Sequence, residues 1–234
     1  MLLVVAHKWD PRGAALRQAW PGAGLVTPVD LSQRGWSFDP AAPGRGQAVV
    51  EGRRVRAGDI RGICVLLPAV TESDLAHIVP ADRSYVAAEM TAFLCAWLTG
   101  LPCPTANPPS PVGLCGPNWR TERWICIAAR LGLPVRAATR SAGQADREPG
   151  PGEVRRTVVV AGDEVFDGTG PAENGDAPAG WAARLADAAS ARLLNVHIGA
   201  DARGSFVLGA DVWVDVGRPA VADALRRDLT GRAR

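Results

Sequence analysis

A chain of 234 residues is long enough for one large domain or two small ones, each with its own core. Its apolar fraction of 47% and charged fraction of 21% are those of a globular protein, and a net charge of +2 excludes a strongly charged nucleic-acid or membrane surface. Of its 26 basic residues only Lys8 is a lysine, so chemistry that needs an ammonium group must use that residue or do without.

No stretch approaches the roughly 18–20 apolar residues of a membrane span. The opening MLLVVAHKWD lacks a basic n-region, and its apolar run is too short for a signal peptide. The five cysteines form an odd set without C-x-x-C spacing, as expected of a reduced, cytoplasmic protein.

In chain order, Leu2 to Ala6 is a continuous apolar run, which predicts a strand buried on both faces. HKWDPRGAALRQAW follows as a loop and a short helix with Ala15, Leu16 and Ala19 inward. Gly24 to Val29 predicts a second strand, Leu31 to Gly46 a polar loop, and Val49 to Val55 a hairpin about Glu51-Gly52. Gly62 to Leu67 is another apolar strand, ended by Pro68. Ser84 to Gly100 predicts a helix capped by Asp82, with Val86, Met90, Phe93, Leu94 and Trp97 on its buried face. A short strand then closes at the turn Asn107-Pro108-Pro109. A second helix begins at the cap Asn118, buries Trp124, Ile127, Ala128 and Leu131, and stops at Gly132 and Pro134.

Alternating strands and helices up to Asn107 predict an open, mainly parallel α/β layer. Ligands of such sheets bind at the carboxyl edge, which places His7-Lys8-Trp9-Asp10 and the loop from Pro68 to His77 there. Thr139 to Gly152 reads as a linker. Beyond it Arg156–Ala161 and Glu164–Phe166 flank a turn at Gly162-Asp163, and Trp181–Arg192 predicts a helix. Three strands follow, Leu193–Ile198, Ser205–Leu208 and Asp211–Val216, before a last helix opened by Pro219. This second half predicts a smaller antiparallel α+β unit.

The string NPPSPVGLCGPNWRTERWICIAARLGLPVRAAT resembles the linker helix of ATP-grasp ligases, where an N-terminal α/β domain ends at an Asn-Pro turn. The hairpin VVVAGDEVFD and Asp215-Val216-Gly217-Arg218-Pro219 are similar to strings near that family's metal site. The resemblance implies three parts: a pre-ATP-grasp-like α/β domain over 1–107, a linker helix and loop over 108–150, and a reduced ATP-grasp unit over 151–234. It also implies ATP and Mg²⁺ as cofactors where the chain is an active ligase.

Two departures bear on activity. The family's phosphate-binding lysine near the start of the linker helix falls at about Thr121, leaving Arg120 and Arg123 as candidate nucleotide-binding residues. A second lysine belongs to a central subdomain for which the stretch between Val135 and Arg155 is too short. Of the oxygen donors implied for the metal, the first aligns with His197, the second with Asp215 and the third with Gly217, so a single carboxylate remains. His197 and Asp215 are therefore the candidate metal ligands, set against a plain hydrogen-bonded or solvated pair. His7, Lys8 and Asn107 are the candidate substrate-binding residues, set against a solvated loop.

Eight tryptophans accompany one tyrosine. Trp97, Trp124 and Trp181 lie on apolar faces, whereas Trp9, Trp20, Trp36 and Trp119 fall in loops or helix ends, where exposed tryptophan marks a partner or ligand surface. Two functions are consistent with this sequence. One is a truncated, non-catalytic ATP-grasp-like subunit that binds a small molecule or peptide and forms a homodimer or a heterodimer with a full-length ligase. The other is an active carboxylate–amine ligase that uses arginine for lysine and is completed by a second chain.

Overall fold

The computed structural model describes residues 1–136, 154–168, 170–172 and 175–231. The expected linker from Thr139 to Gly152 lies outside the described residues. Two compact units emerge: Met1–Asn118 together with Asp215–Arg234, and Trp119–Val214.

The first unit is built on four parallel strands in the order β2 (Gly24–Val26), β1 (Leu2–Val5), β5 (Gly62–Val65) and β6 (Thr105–Ala106). Every residue of β1 and β5 is buried, which is what their uninterrupted apolar runs require of a sheet covered on both faces. Helix α1 (Pro11–Ala19) starts at the cap Asp10, whose carboxylate accepts the Arg12 N–H at 2.9 Å. It packs against α6 (Pro219–Gly231), and Trp20 just past its end donates Nε1–H to the Ala222 carbonyl at 3.0 Å. Trp20 is thus core, 1% exposed, and not the surface aromatic its position at a helix end suggests.

The predicted strand over Gly24–Val29 is shorter, because Pro28 starts a four-residue helix, α2 (Pro28–Leu31). Strands β3 (Gln47–Val50) and β4 (Arg53–Arg56) form the expected hairpin, with Glu51 and Gly52 at φ +50° and +75° in its turn. In α3 (Arg83–Gly100) the buried residues are Ala87, Leu94, Trp97 and Leu98, so the buried face is turned slightly from the predicted one. Trp36 meets Phe93 and Trp97 edge-on, with ring centroids 5.5 and 5.2 Å apart.

The second unit carries an antiparallel sheet in the order β11 (Gly204–Asp211), β10 (Leu193–Asp201), β7 (Val154–Ala161), β8 (Glu164–Asp167), β9 (Gly170–Pro171). Strands β7 (Val154–Ala161) and β8 (Glu164–Asp167) turn at Gly162-Asp163 as predicted, and β9 is the pair Gly170–Pro171. Helix α4 (Thr121–Arg130) begins two residues later than expected, with Arg120 rather than Asn118 at its cap. It ends where Gly132 takes φ +70° and Leu133 N–H bonds back to the Ala128 carbonyl at 3.0 Å. Helix α5 spans Ala177–Ala188, four residues ahead of the predicted helix at both ends, because Pro178 occupies the first turn rather than the preceding loop.

Two strands replace the three predicted: β10 (Leu193–Asp201) and β11 (Gly204–Asp211). Gly209, which falls between the predicted strands Ser205–Leu208 and Asp211–Val216, lies inside β11 next to a bulge between His197 and Ile198. The segment after Asp211 is not a strand; the Asp211 carboxylate accepts the Trp213 N–H at 2.7 Å and turns the chain.

Candidate functional site

The carboxyl edge of the parallel sheet gathers charged side chains from two loops. His7, just past β1, places Nδ1 2.8 Å from Asp74 Oδ1, joining the loop after β1 to the one after β5. Beside it Arg12 grips Asp10 with two bonds, Nε to Oδ1 at 3.0 Å and Nη2 to Oδ2 at 2.6 Å. Burial pushes the Asp10 carboxyl up, but the bonds and charge of Arg12 and the nearby His7 outweigh it, so its pKa lies below the ordinary value. Lys8 is exposed, its Nζ 5.0 Å above the ring of Trp9, which is itself 83% exposed.

Asn107 lies deeper. It is 1% exposed, sits at φ +55° where the chain leaves β6, and its side chain hydrogen-bonds Cys115. Burial pushes the Cys115 thiol up to about 12 and raises Cys64 as well, so neither is poised as a thiolate. His7 and Lys8 remain accessible to a ligand, whereas Asn107 is buried.

In the second unit His197 meets Asp211. Its Nε2 is 2.6 Å from Asp211 Oδ2, and its Nδ1 is 3.1 Å from Thr157 Oγ1 on β7. Asp211 Oδ1 also accepts from Asn195 Nδ2 at 3.1 Å and from the Trp213 N–H. Burial raises this carboxyl, but the bonds from His197, the Trp213 N–H and Asn195, together with the electrostatic pull of His197, hold it below its ordinary value.

Asp215, the expected partner of His197, belongs to the other unit and accepts the N–H of Gly217 at 3.0 Å. The hydrogen-bond partner that the structure gives His197 Nε2 is Asp211, a residue the sequence did not single out. The resemblance of the string ending in Pro219 pointed to Asp215; the register of β10 and β11 instead sets Asp211 opposite Asn195, two residues from His197 on the same face.

Arg120 and Arg123 are both exposed at the start of α4. The Arg123 guanidinium lies 4.2 Å from the Trp119 ring centroid, and Trp119 tilts against the buried Trp124 at 4.7 Å. An arginine stacked in this way keeps its N–H edge available to an anion.

Mg²⁺ requires a near-octahedral set of oxygens. At His197 the described residues supply one carboxylate, both of whose oxygens already accept N–H donors, so the donor set does not fit that ion. Among the described residues no group of three or more His, Cys, Asp or Glu is arranged to hold a metal, and no helix is long and apolar enough to cross a membrane.

No protein-family profile and no curated protein matches this sequence. Solved structures do. The ATP-grasp ligase PsnB, complexed with a phosphomimetic variant of minimal precursor, Mg and ADP, matches with a TM-score of 0.67 at 16% identity over 97% of this chain and 98% of that one. The macrocyclase MdnC from Microcystis aeruginosa MRC, bound with precursor peptide MdnA, matches with a TM-score of 0.67 at 10% identity over 100% of each chain. A RiPP-associated ATP-grasp ligase from Chryseobacterium gregarium, in complex with ADP and a leader and core peptide, gives 0.66 at 9% identity over 100% of this chain and 97% of that one. At these identities the likeness is one of fold, and the parallel sheet followed by the antiparallel unit is the fold of an ATP-grasp ligase-like protein.

Proposed function

We propose that this chain is a non-catalytic, peptide-binding accessory subunit of a biosynthetic pathway, a reduced ATP-grasp-like protein that works beside a full-length ligase. The observation that carries this reading is the state of Asp211. The one carboxylate of the β10–β11 pair next to His197 is spent on His197, Asn195 and a backbone N–H, which suits a structural network better than a cation that bridges phosphates. The single lysine of the sequence, Lys8, points the same way. A peptide ligand is supported by the same-fold structures solved with precursor, leader and core peptides. Five free cysteines support a reducing, cytoplasmic setting.

Calorimetric titration of the purified chain with ATP, with and without Mg²⁺, tests this. Each lost charged hydrogen bond to phosphate costs about 1.5–3 kcal/mol. Two such losses weaken binding by roughly two to four decades, so no micromolar binding is expected. Micromolar binding of Mg-ATP would overturn the reading.

It would favour the second one, an active ATP-dependent carboxylate–amine ligase with arginine in place of lysine. The exposed Arg120 and the stacked Arg123 support that alternative, and under it Arg123→Ala weakens nucleotide binding about tenfold or more.

A further inference from the structure

The first unit contains a groove of about 640 Å³, within the range of roughly 300–1,000 Å³ typical of ligand clefts. Three segments form its walls. One is the chain after β5, with Val70 and Glu72; one is α3, with Ala88, Ala92 and Cys95; the third is the loop that ends in Leu114. The walls are tied together. Val70 N–H donates to Thr91 Oγ1 at 3.0 Å, Thr91 Oγ1 donates to the Ala87 carbonyl at 2.8 Å, and Leu114 N–H donates to the Pro68 carbonyl at 2.8 Å. The groove is therefore preformed, and it does not depend on a ligand to open it.

Its chemistry is one-sided. The side chains that α3 presents to it are small, which keeps the volume open, and two large apolar residues stand exposed next to lining positions in the chain: Tyr85 (69%) and Val112 (63%). Among the described residues that line the groove, Glu72, exposed at the start of the 3-10 turn Glu72–Leu75, is the one charged side chain, and none is a lysine, arginine or histidine. A phosphate or an acidic peptide would meet a carboxylate and no cation. A ligand with an apolar body and a basic group would meet matching chemistry at both ends.

We propose that this groove seats an extended apolar peptide segment carrying a lysine or arginine, whose cation pairs with Glu72. The proposal deepens the reading above and rests on its peptide-ligand part, while requiring nothing of nucleotide binding. Ala92 is exposed on α3 and lines the groove; Ala96 is equally exposed on the same helix and does not. Large substitutions at both are compatible with folding, which circular dichroism verifies.

The probes are fluorescent acetylated pentapeptides of leucine and alanine with a central lysine, norleucine or glutamate, followed by anisotropy with the full chain at low salt. The lysine peptide is expected to bind about fivefold tighter than the glutamate peptide, and Glu72→Gln to bring the two within about twofold. Ala92→Trp is expected to abolish saturable binding and Ala96→Trp to leave it. The bound peptide is further expected to protect Cys95, but not the exposed Cys126, from alkylation by iodoacetamide.

Equal binding of the lysine and glutamate peptides overturns the proposal, as does full displacement of the lysine peptide by equimolar butylamine. Binding that persists in Ala92→Trp overturns the groove but leaves a peptide-binding protein. Absence of binding by any of the peptides overturns the groove, and the Mg-ATP titration still decides the accessory role on its own.

Discussion

Asp211 shows how one side chain can serve a network that the sequence around it does not advertise. Its folded pKa is depressed, so relative to an unfolded carboxyl near 3.9 it contributes stability that is fully present above that value. The contribution is lost as pH falls through the lower folded value, which places the loss below about pH 4. Asp211→Asn is expected to cost about 1 kcal/mol at pH 7, the strength of a charged hydrogen bond discounted for partial exposure. Urea midpoints at pH 7 and pH 3 should then show a smaller acid drop in the variant than in the natural chain. Part of the drop will persist, because Asp10 is depressed in the same direction by Arg12. An identical drop in both chains would remove Asp211 from the account.

At the scale of elements, the signals that proved readable were those with a local cause. Pro219 opens α6, Gly132 closes α4, and Glu51-Gly52 and Gly162-Asp163 turn their hairpins where backbone chemistry demands. What escaped reading was non-local. Asp74 meets His7 across 67 positions, and the walls of the groove come from segments that no periodicity links. Asp10-Pro11, within the expected loop, is a cap followed by a first-turn proline, a local signal that the sequence itself carries.

Gly209 illustrates the non-local kind. A Cβ built there would lie 3.1 Å from Thr121 Cγ2, so the glycine is what lets α4 approach β11. Gly180, within α5, has open space around the same atom. The two alanine substitutions should therefore have opposite signs. Gly209→Ala is expected to destabilise by about 1–3 kcal/mol, through repacking against Thr121 and through a φ of +154° that a side chain strains. Gly180→Ala is expected to stabilise by about 0.5–1 kcal/mol by removing helix-interior glycine. Equal shifts in the denaturation midpoint would refute the close approach.

For the whole molecule, the order of the two sheets was legible because fully apolar runs give way to hairpin-linked strands, whereas the return of α6 to the first unit was not. That return rests on pairings such as Trp20 with the Ala222 carbonyl and Gly62 with Leu229, more than 150 positions apart in each case. Assembly is the property this scale leaves to experiment, and we expect a homodimer. The first four residues of β7, Val154 to Thr157, are exposed, and Val154 is 66% exposed. They pair with β10 on one side, and among the described residues β8 pairs with β7 from Val158 onward. A strand of this kind is a template for a second copy, and a twofold axis is the commonest way to satisfy it. Trp119, one of the four tryptophans expected at a partner or ligand surface, is half-buried against Trp124 beneath Arg123. Light scattering at tens of micromolar should therefore report a dimer that Trp119→Ala leaves unchanged and Val154→Arg dissociates. A monomer throughout, also in the presence of a co-expressed full-length ligase, would defeat the expectation. Dissociation by Trp119→Ala alone would move the contact to the start of α4.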